Sequence, residues 1–290
     1  MTIIIVDLQQ VMISTLMVQL KGHFNVDLQE NLLRHMVLNC LRSYNIKFKE
    51  KYGEMVIACD SRQSWRRDVF PFYKAHRKKD RDASELDWHL IFAAFANLCR
   101  ELEEFFPYRV IEVDGAEADD IIGVLCHQYR CEEMLVGDDP KSKILIISGD
   151  KDFIQLQKYS NVDQYDSVRN KWIRTNDPAA YLKEHIIRGD AGDGVPNVLS
   201  QDDIFLVEGK RQTSITKGIC AKLLEEGPEE KHLKNWKRNE LLVDLGCTPS
   251  DIKEQIINKY MQQQGKGREK LFKYFINKRL SNLMTNIQEF

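Results

Sequence analysis

The sequence predicts an α/β protein: a central, mostly parallel sheet with helices on both faces, followed by a helical C-terminal subdomain. Three observations carry this. Short apolar runs alternate with longer segments of helical periodicity, the pattern of strand–helix–strand crossovers. Those runs are apolar at successive rather than alternate positions, as strands covered on both faces require. Beyond residue 178 the strand signals stop, and helical pieces separated by Gly, Pro and polar loops take over.

The first strand is read at 2–7, where Ile3-Ile4-Ile5-Val6 ends at Asp7. Helices are expected over 8–22 and 28–50, the second with Leu32, Leu33, Met36, Val37, Cys40 and Leu41 at helical spacing. A second strand at 55–60 ends at Asp60. Residues 61–83 are charged and aromatic. An amphipathic helix is expected over 84–106, closed by Pro107. A third strand at 108–113 runs into Gly115-Ala116-Glu117-Ala118-Asp119-Asp120, where a helix opens and continues to about Cys131. Gly137-Asp138-Asp139-Pro140 reads as a turn. The fourth strand, 143–148, runs into Gly149-Asp150-Lys151-Asp152 and a short helix at 152–157. Strands at 161–167 and 171–174 form an edge hairpin around Arg169-Asn170. The expected division is a core at 1–180, with a basic segment at about 61–83, and a helical part at 181–290.

With 42 Lys and Arg against 44 Asp and Glu, the chain is not a bulk polycation. Any route to nucleic acid is therefore a local basic surface. The seven cysteines are scattered without a CxxC, which argues against a disulfide framework and for free thiols in a reducing compartment. Cys59 reads as a small core residue. The histidines show no zinc-type spacing. There is no secretion-signal pattern at the N-terminus, and no run is long enough to span a bilayer.

The acids gather at strand ends, where open parallel sheets place their sites. Like charges held close repel by about 4 kcal/mol per pair in a protein-like dielectric, so a cation is needed among them, and Mg²⁺ is the natural one. Glu117, Asp119 and Asp120 can serve more than one ion. Asp150 and Asp152 project from a post-strand turn, and Asp190 and Asp193 lie in a Gly-rich turn. A single Asp after a strand is as often a helix N-cap. The whole set exceeds what capping needs and fits two-metal phosphoryl chemistry.

The segment 62–81 interleaves basic and aromatic residues directly after Asp60. Basic groups neutralise phosphates and aromatics stack on unpaired bases; a solvated charged loop is the alternative. Arg66, Arg67, Lys74, Arg77 and Lys78 are the candidate phosphate contacts, with Lys74 and Arg77 at the scissile phosphate. Trp65, Phe70 and Phe72 read as packing residues, and Tyr73 as either packing or stacking. Further along, Thr213, Ser214, Thr216 and Lys217 sit at the start of an expected helix, Ser214–Glu226, and suit either duplex phosphates or ordinary capping. Gly265-Lys-Gly-Arg-Glu-Lys270 lacks P-loop spacing and reads as a basic connector. A helix at 268–280 is expected to carry Leu271, Phe272, Phe275, Ile276 and Leu280 on one face.

Together, IVDLQQ (5–10), IACDS (57–61), WRRDVFPFYKAHR (65–77), EADD (117–120), ISGDKDF (147–153) and GDAGDGVP (189–196) resemble the flap-endonuclease superfamily of structure-specific 5′-nucleases. VEGKRQTS (207–214) and LSNLMTNIQEF (280–290) are similar to its T-even-phage ribonuclease H type. The resemblance implies a PIN-like 5′-nuclease core and hydrolysis of phosphodiesters near 5′ ends of RNA–DNA hybrids and flap DNA. It implies Asp7, Asp60, Glu117, Asp119 and Asp120 around a first Mg²⁺, and Asp150, Asp152, Asp190 and Asp193 around a second, with Mn²⁺ as a substitute. It casts Asp119, Lys74 and Arg77 as catalytic, and 61–83 as an arch over the site. It also implies primer removal in replication by a monomer in the cytoplasm, the host's if the chain is phage-encoded, alongside a single-strand-binding protein and a sliding clamp. The stretch 200–213 interrupts the hairpin that leads other members into a duplex-gripping helix, so a monovalent cation site there is not implied. A non-catalytic binder of branched nucleic acid and a PIN-type endoribonuclease are the alternatives. The arch and the C-terminal part speak against the latter. A phosphatase of small molecules would want DxDxT where this chain has Asp7-Leu-Gln-Gln.

Overall fold

A computed structural model describes residues 2–20, 30–130, 142–263 and 266–290. The expected turn at 137–140, and Cys131 and Gly265, lie outside the described residues.

The chain runs β1 (Thr2–Asp7), α1 (Leu8–Leu20), α2 (Glu30–Tyr52), β2 (Glu54–Ala58), α3 (Trp65–Val69), α4 (His76–Asp82), α5 (Trp88–Phe105), β3 (Arg109–Ile111), α6 (Ala118–Gln128) and β4 (Lys143–Ile147). A 3₁₀ helix (Asp152–Lys158), β5 (Val162–Asp166) and β6 (Lys171–Ile173) follow. Then come α7 (Pro178–Arg188), α8 (Lys217–Glu226), α9 (Leu233–Val243), α10 (Ser250–Gln262), α11 (Leu271–Asn277) and α12 (Ser281–Met284).

The sheet order is β3-β2-β1-β4-β5-β6, parallel except for β6, which pairs antiparallel with β5 at the edge. Successive strand residues point to opposite faces. Ile4 and Val6 therefore join α1, α2, α5 and α11 in one core. Ile3 and Ile5 join α6 and α10 in the other, with Ile122, Ile256 and Tyr260. The chain steps outward from β1 through β2 to β3 and then crosses back to β4 on the other side of β1, so the strand order reverses there and a crevice opens between the C-terminal ends of β1 and β4.

Some expectations are corrected. The helix read at 84–106 starts at Trp88, because the Asp87 carboxylate accepts the Leu90 N–H at 3.1 Å and sets the cap. Phe272 and Ile276 do not share the face of Leu271 and Phe275: they are exposed on the far side of α11, while Tyr274 takes the buried position. The helix read from Ser214 begins at Lys217, with Thr216 as its cap. Cys59 is a core residue, and the described cysteines Cys40, Cys59, Cys99, Cys126, Cys220 and Cys247 are unbridged. The chain after 180 divides by packing. Ile187, Val198, Cys220 and Leu223 form a small core of their own, whereas α10 and α11 complete the two layers of the sheet. Among the described residues no helix is long and apolar enough to cross a membrane.

Candidate active site

Each acid reaches the crevice by a local rule. Asp7 is the last residue of β1; its Oδ1 accepts the Gln10 N–H at 3.0 Å, as an N-cap does, and its Oδ2 accepts the Ser148 hydroxyl at 3.1 Å. Asp60 follows β2 and accepts the Ala118 N–H at 2.7 Å, tying that strand end to the start of α6. Asp150 follows β4 and accepts the Asp152 N–H at 3.0 Å. The 189–196 turn is built from Gly189, whose φ of 65° lets the chain reverse, and a bridge between Asp190 and Val195. Buried Asn239 and Arg238 both donate to the Pro196 carbonyl, at 2.9 and 2.8 Å, and hold this turn in place.

The site has two electrostatic halves. In one, carboxylates outnumber the basic groups that face them, Lys74 toward Asp119 and His185 beside Asp152 and Asp190. Burial and the Asp60 charge push Asp7 up to about 7, and burial and Asp150 push Asp152 up to about 8. Burial and the Asp150 charge hold Asp119 well above the usual carboxylate range. In the other half, basic groups of the 61–83 segment compensate the acids. Lys74 Nζ donates to Glu117 Oε1 at 2.7 Å and lies 3.5 Å from Asp193 Oδ2; Arg77 Nη2 reaches Asp193 Oδ1 at 2.5 Å. Despite burial, which would raise it, Lys74 and Arg66 hold the Glu117 carboxyl below its ordinary value. Lys74 adopts φ 55°, a strained region for a non-glycine, and its N–H is secured by the Asp193 carbonyl at 2.7 Å.

Three expected roles change. Asp120 is fully buried, and both its oxygens are committed. Oδ1 takes Trp65 Nε1 at 3.2 Å and the Thr248 hydroxyl at 2.8 Å, while Oδ2 takes Arg66 Nη1 and the Glu117 N–H, both at 2.9 Å. It braces the start of α6 and turns no free oxygen to the crevice. Arg66 is 2% exposed and donates to Asp120, Glu117 and the Leu242 carbonyl, so it is a buried brace rather than a phosphate contact. Tyr73 is buried too, its hydroxyl 2.7 Å from both Glu117 Oε2 and Asp193 Oδ2, leaving no ring face for a base. Trp65 and Phe70 pack in the interior, with Phe72 packed against Phe70. By contrast, Arg67, Lys78, Thr213, Ser214, Thr216 and Lys217 are exposed, and the Thr216 hydroxyl also caps α8.

A cavity of about 690 Å³ lies beside the acid-rich half, lined by Gln10, Asp150, Asp152, Tyr181, His185 and Asp190, with Lys151 and Arg169 on its wall. His185 has no counterpart in the sequence expectations. It comes from the last turn of α7, and only a solitary His five residues ahead of Asp190 marked it. Gln10 was likewise missed; its side chain accepts the Gly149 N–H at 2.6 Å and shapes the turn into Asp150.

The family described as "5′-3′ exonuclease, N-terminal resolvase-like domain" matches residues 18–185, and "T4 RNase H, C terminal" matches 178–290. The chain is 32% identical to the ribonuclease H of Enterobacteria phage T4, covering 99% of this chain and 95% of that one. The chain belongs to the 5′-3′ exonuclease family. As a member it is a nuclease. A 5′-3′ exonuclease of Mycobacterium tuberculosis is 26% identical over 57% of this chain and 60% of its own length. The fold matches that of the T5 D15 protein, crystallised with metal ions, at a TM-score of 0.57 and 17% identity over 91% of this chain and 99% of that one. A structure of the T5 5′-exonuclease with bound zinc matches at 0.58, with 16% identity over 90% of this chain and 98% of that one.

Proposed function

We propose that this nuclease hydrolyses phosphodiester bonds near the 5′ ends of RNA–DNA hybrids and of flap or duplex DNA, using two divalent cations, Mg²⁺ or in its place Mn²⁺. The observation that carries the reading is the acid-rich half of the site. Asp7, Asp119 and Asp152 are pushed toward protonation by burial and by the charges of neighbouring carboxylates, Asp60 for Asp7 and Asp150 for Asp119 and Asp152, a donor set that fits hard cations and is relieved by them. Asp7, Asp60, Glu117 and Asp119 would hold one ion, and Asp150, Asp152, Asp190 and Asp193 the other; Asp120 is left out, since its oxygens are spent on α6. When bound, such ions acidify water and neutralise charge developing on the phosphate.

The chain's own residues do the positioning. Ser148 and the Gln10 N–H fix Asp7, and the Asp60–Ala118 bond fixes the end of β2 to the start of α6. Lys74 and Arg77 hang over the carboxylates through Glu117 and Asp193, within reach of a phosphate that displaces either contact. Arg67 and Lys78, exposed on the same segment, extend the cationic surface. Thr213, Ser214, Thr216 and Lys217 form a second contact, for duplex backbone. In this reading 1–180, with α10 and α11 packed on its sheet and the 189–196 turn at its site, is the catalytic core with its arch at 61–83, and the small unit around α7 and α8 grips nucleic acid. The similarity to a phage ribonuclease H supports primer removal during replication in a host cytoplasm by a monomer, beside a single-strand-binding protein and a sliding clamp.

The test uses a 5′-labelled RNA–DNA hybrid and a matched 5′-flap DNA, with Mg²⁺ or EDTA, comparing wild type with Asp119→Asn. Short 5′-phosphorylated products that need both Mg²⁺ and Asp119 are expected. Binding without cleavage overturns the catalytic reading, and full activity in Asp119→Asn overturns the ligand assignment.

A further inference from the structure

The imidazole of His185 stands between two carboxylates of the cluster. Nδ1 lies 3.5 Å from Asp152 Oδ1, and Nε2 lies 3.6 Å from Asp190 Oδ2. Both separations exceed a good N–H···O hydrogen bond. Nδ1 is shut off from solvent and has no hydrogen-bond partner, an arrangement that is costly unless something else satisfies the nitrogen. One ring nitrogen serves a given ion, and atoms that share an ion through bonds of about 2.1 Å stand roughly 3.0–3.5 Å apart, along the edges of its coordination shell; the 3.5 Å from Nδ1 to Asp152 meets that spacing, while the 3.6 Å contact to Asp190 is made by the other nitrogen. One ligand atom from each of Asp152, His185 and Asp190 falls within 4.8 Å of the others.

The fold brings the ring there by tertiary packing. Buried Ile186 and Ile187 seat the last turn of α7, and the reversal at Gly189 returns Asp190 against the ring that precedes it. The 3₁₀ turn that starts at Asp152 packs against the same helix and supplies the other carboxylate.

We infer that His185 is a nitrogen ligand to the ion held by Asp152 and Asp190, and that this position favours Mn²⁺ over Mg²⁺. The inference rests on the proposed reading of the cluster as a divalent-cation site. Mg²⁺ is hard, dehydrates reluctantly and takes oxygen donors, whereas imidazole suits later first-row ions, whose affinity for nitrogen sites rises along the series. A purely structural ring, an imidazolium bridging two carboxylates, would bind no ion and give no such preference.

Electron-spin-echo envelope modulation of the full-length protein loaded with Mn²⁺, without nucleic acid, decides between them. Directly bound imidazole imposes a ¹⁴N modulation on the Mn²⁺ echo. The expected result is ¹⁴N modulation in the wild type that disappears in His185→Gln. Mn²⁺ affinity at that site should fall about tenfold or more, while Mg²⁺ affinity changes much less. Asp152→Asn should lower affinity for both ions. The wild-type spectrum decides coordination without any variant. Mn²⁺ bound with no ¹⁴N modulation overturns the inference and leaves the cation site intact. Failure of the wild type to bind Mn²⁺, or binding unchanged in Asp152→Asn, overturns the cation reading and the inference with it.

Discussion

Replacing Arg66 with Met separates a structural cation from a DNA contact. The guanidinium is 2% exposed and makes three hydrogen bonds: to Leu242 O at 3.0 Å, to Asp120 Oδ2 at 2.9 Å and to Glu117 Oε2 at 3.3 Å. Met fills most of the volume, so the cost is electrostatic. Breaking a buried pair from one side costs about 3–5 kcal/mol, because a charge is left without its partner. Asp120 keeps three neutral donors, from Trp65, Thr248 and the Glu117 backbone, which argues for the lower end of that range. The orphaned Leu242 carbonyl adds about 1–3 kcal/mol and argues for the upper end. A loss near 4 kcal/mol, or on the order of 10 °C in Tm for a chain of this size, is expected in denaturant and thermal unfolding. At a temperature where the variant stays folded, DNA affinity should match wild type. A stability change below about 1 kcal/mol combined with weaker, less salt-dependent DNA binding would refute this reasoning and return Arg66 to the phosphate surface.

The crowded acids set a pH dependence. Their folded pKa values, about 7 for Asp7 and about 8 for Asp152, lie above the unfolded value near 4. Their contribution to stability is therefore full below about pH 4 and lost as pH rises through 7 to 8. Unfolding in EDTA should show that decline, and an excess of divalent cation, which binds the ionised forms, should offset it progressively as pH rises; parallel curves with and without cation would count against a cation site. Lys74→Ala should slow single-turnover cleavage by about 100-fold while changing affinity little; an affinity loss with an unchanged rate makes Lys74 a tether. In Gly189→Ala the new Cβ would stand 2.4 Å from Val195 O at φ 65°, so a loss above about 2 kcal/mol is expected. Gly209→Ala, at φ 77° with open space around it, isolates the backbone cost at about 1 kcal/mol, and equal losses in the two variants would rule out the clash.

The sheet was legible because a covered parallel strand leaves an unmistakable mark. Ile3 to Val6 and Ile144 to Ile147 are apolar at every position, and the hydrophobic effect admits few other uses for such runs. Asp7, Asp60 and Asp150 were legible for the same reason, since a carboxylate that ends a buried strand has only the crevice to occupy. Packing partners distant in the chain decided the rest. Asp119 and Asp120 are neighbours of like chemistry, yet about 100° of helix rotation separates them. Only the arrival of Trp65, Arg66 and Thr248 on one side of α6 makes Asp120 a brace and leaves Asp119 to the cluster. Arg66 and Arg67 divide the same way on α3, one buried and one exposed. His185 and Asp152 meet because α7 packs on the 3₁₀ turn, a contact with no periodicity to announce it. Local pattern records which face of an element is apolar; which polar side chains share a site depends on long-range packing, and in this protein that packing assigned the charges their work.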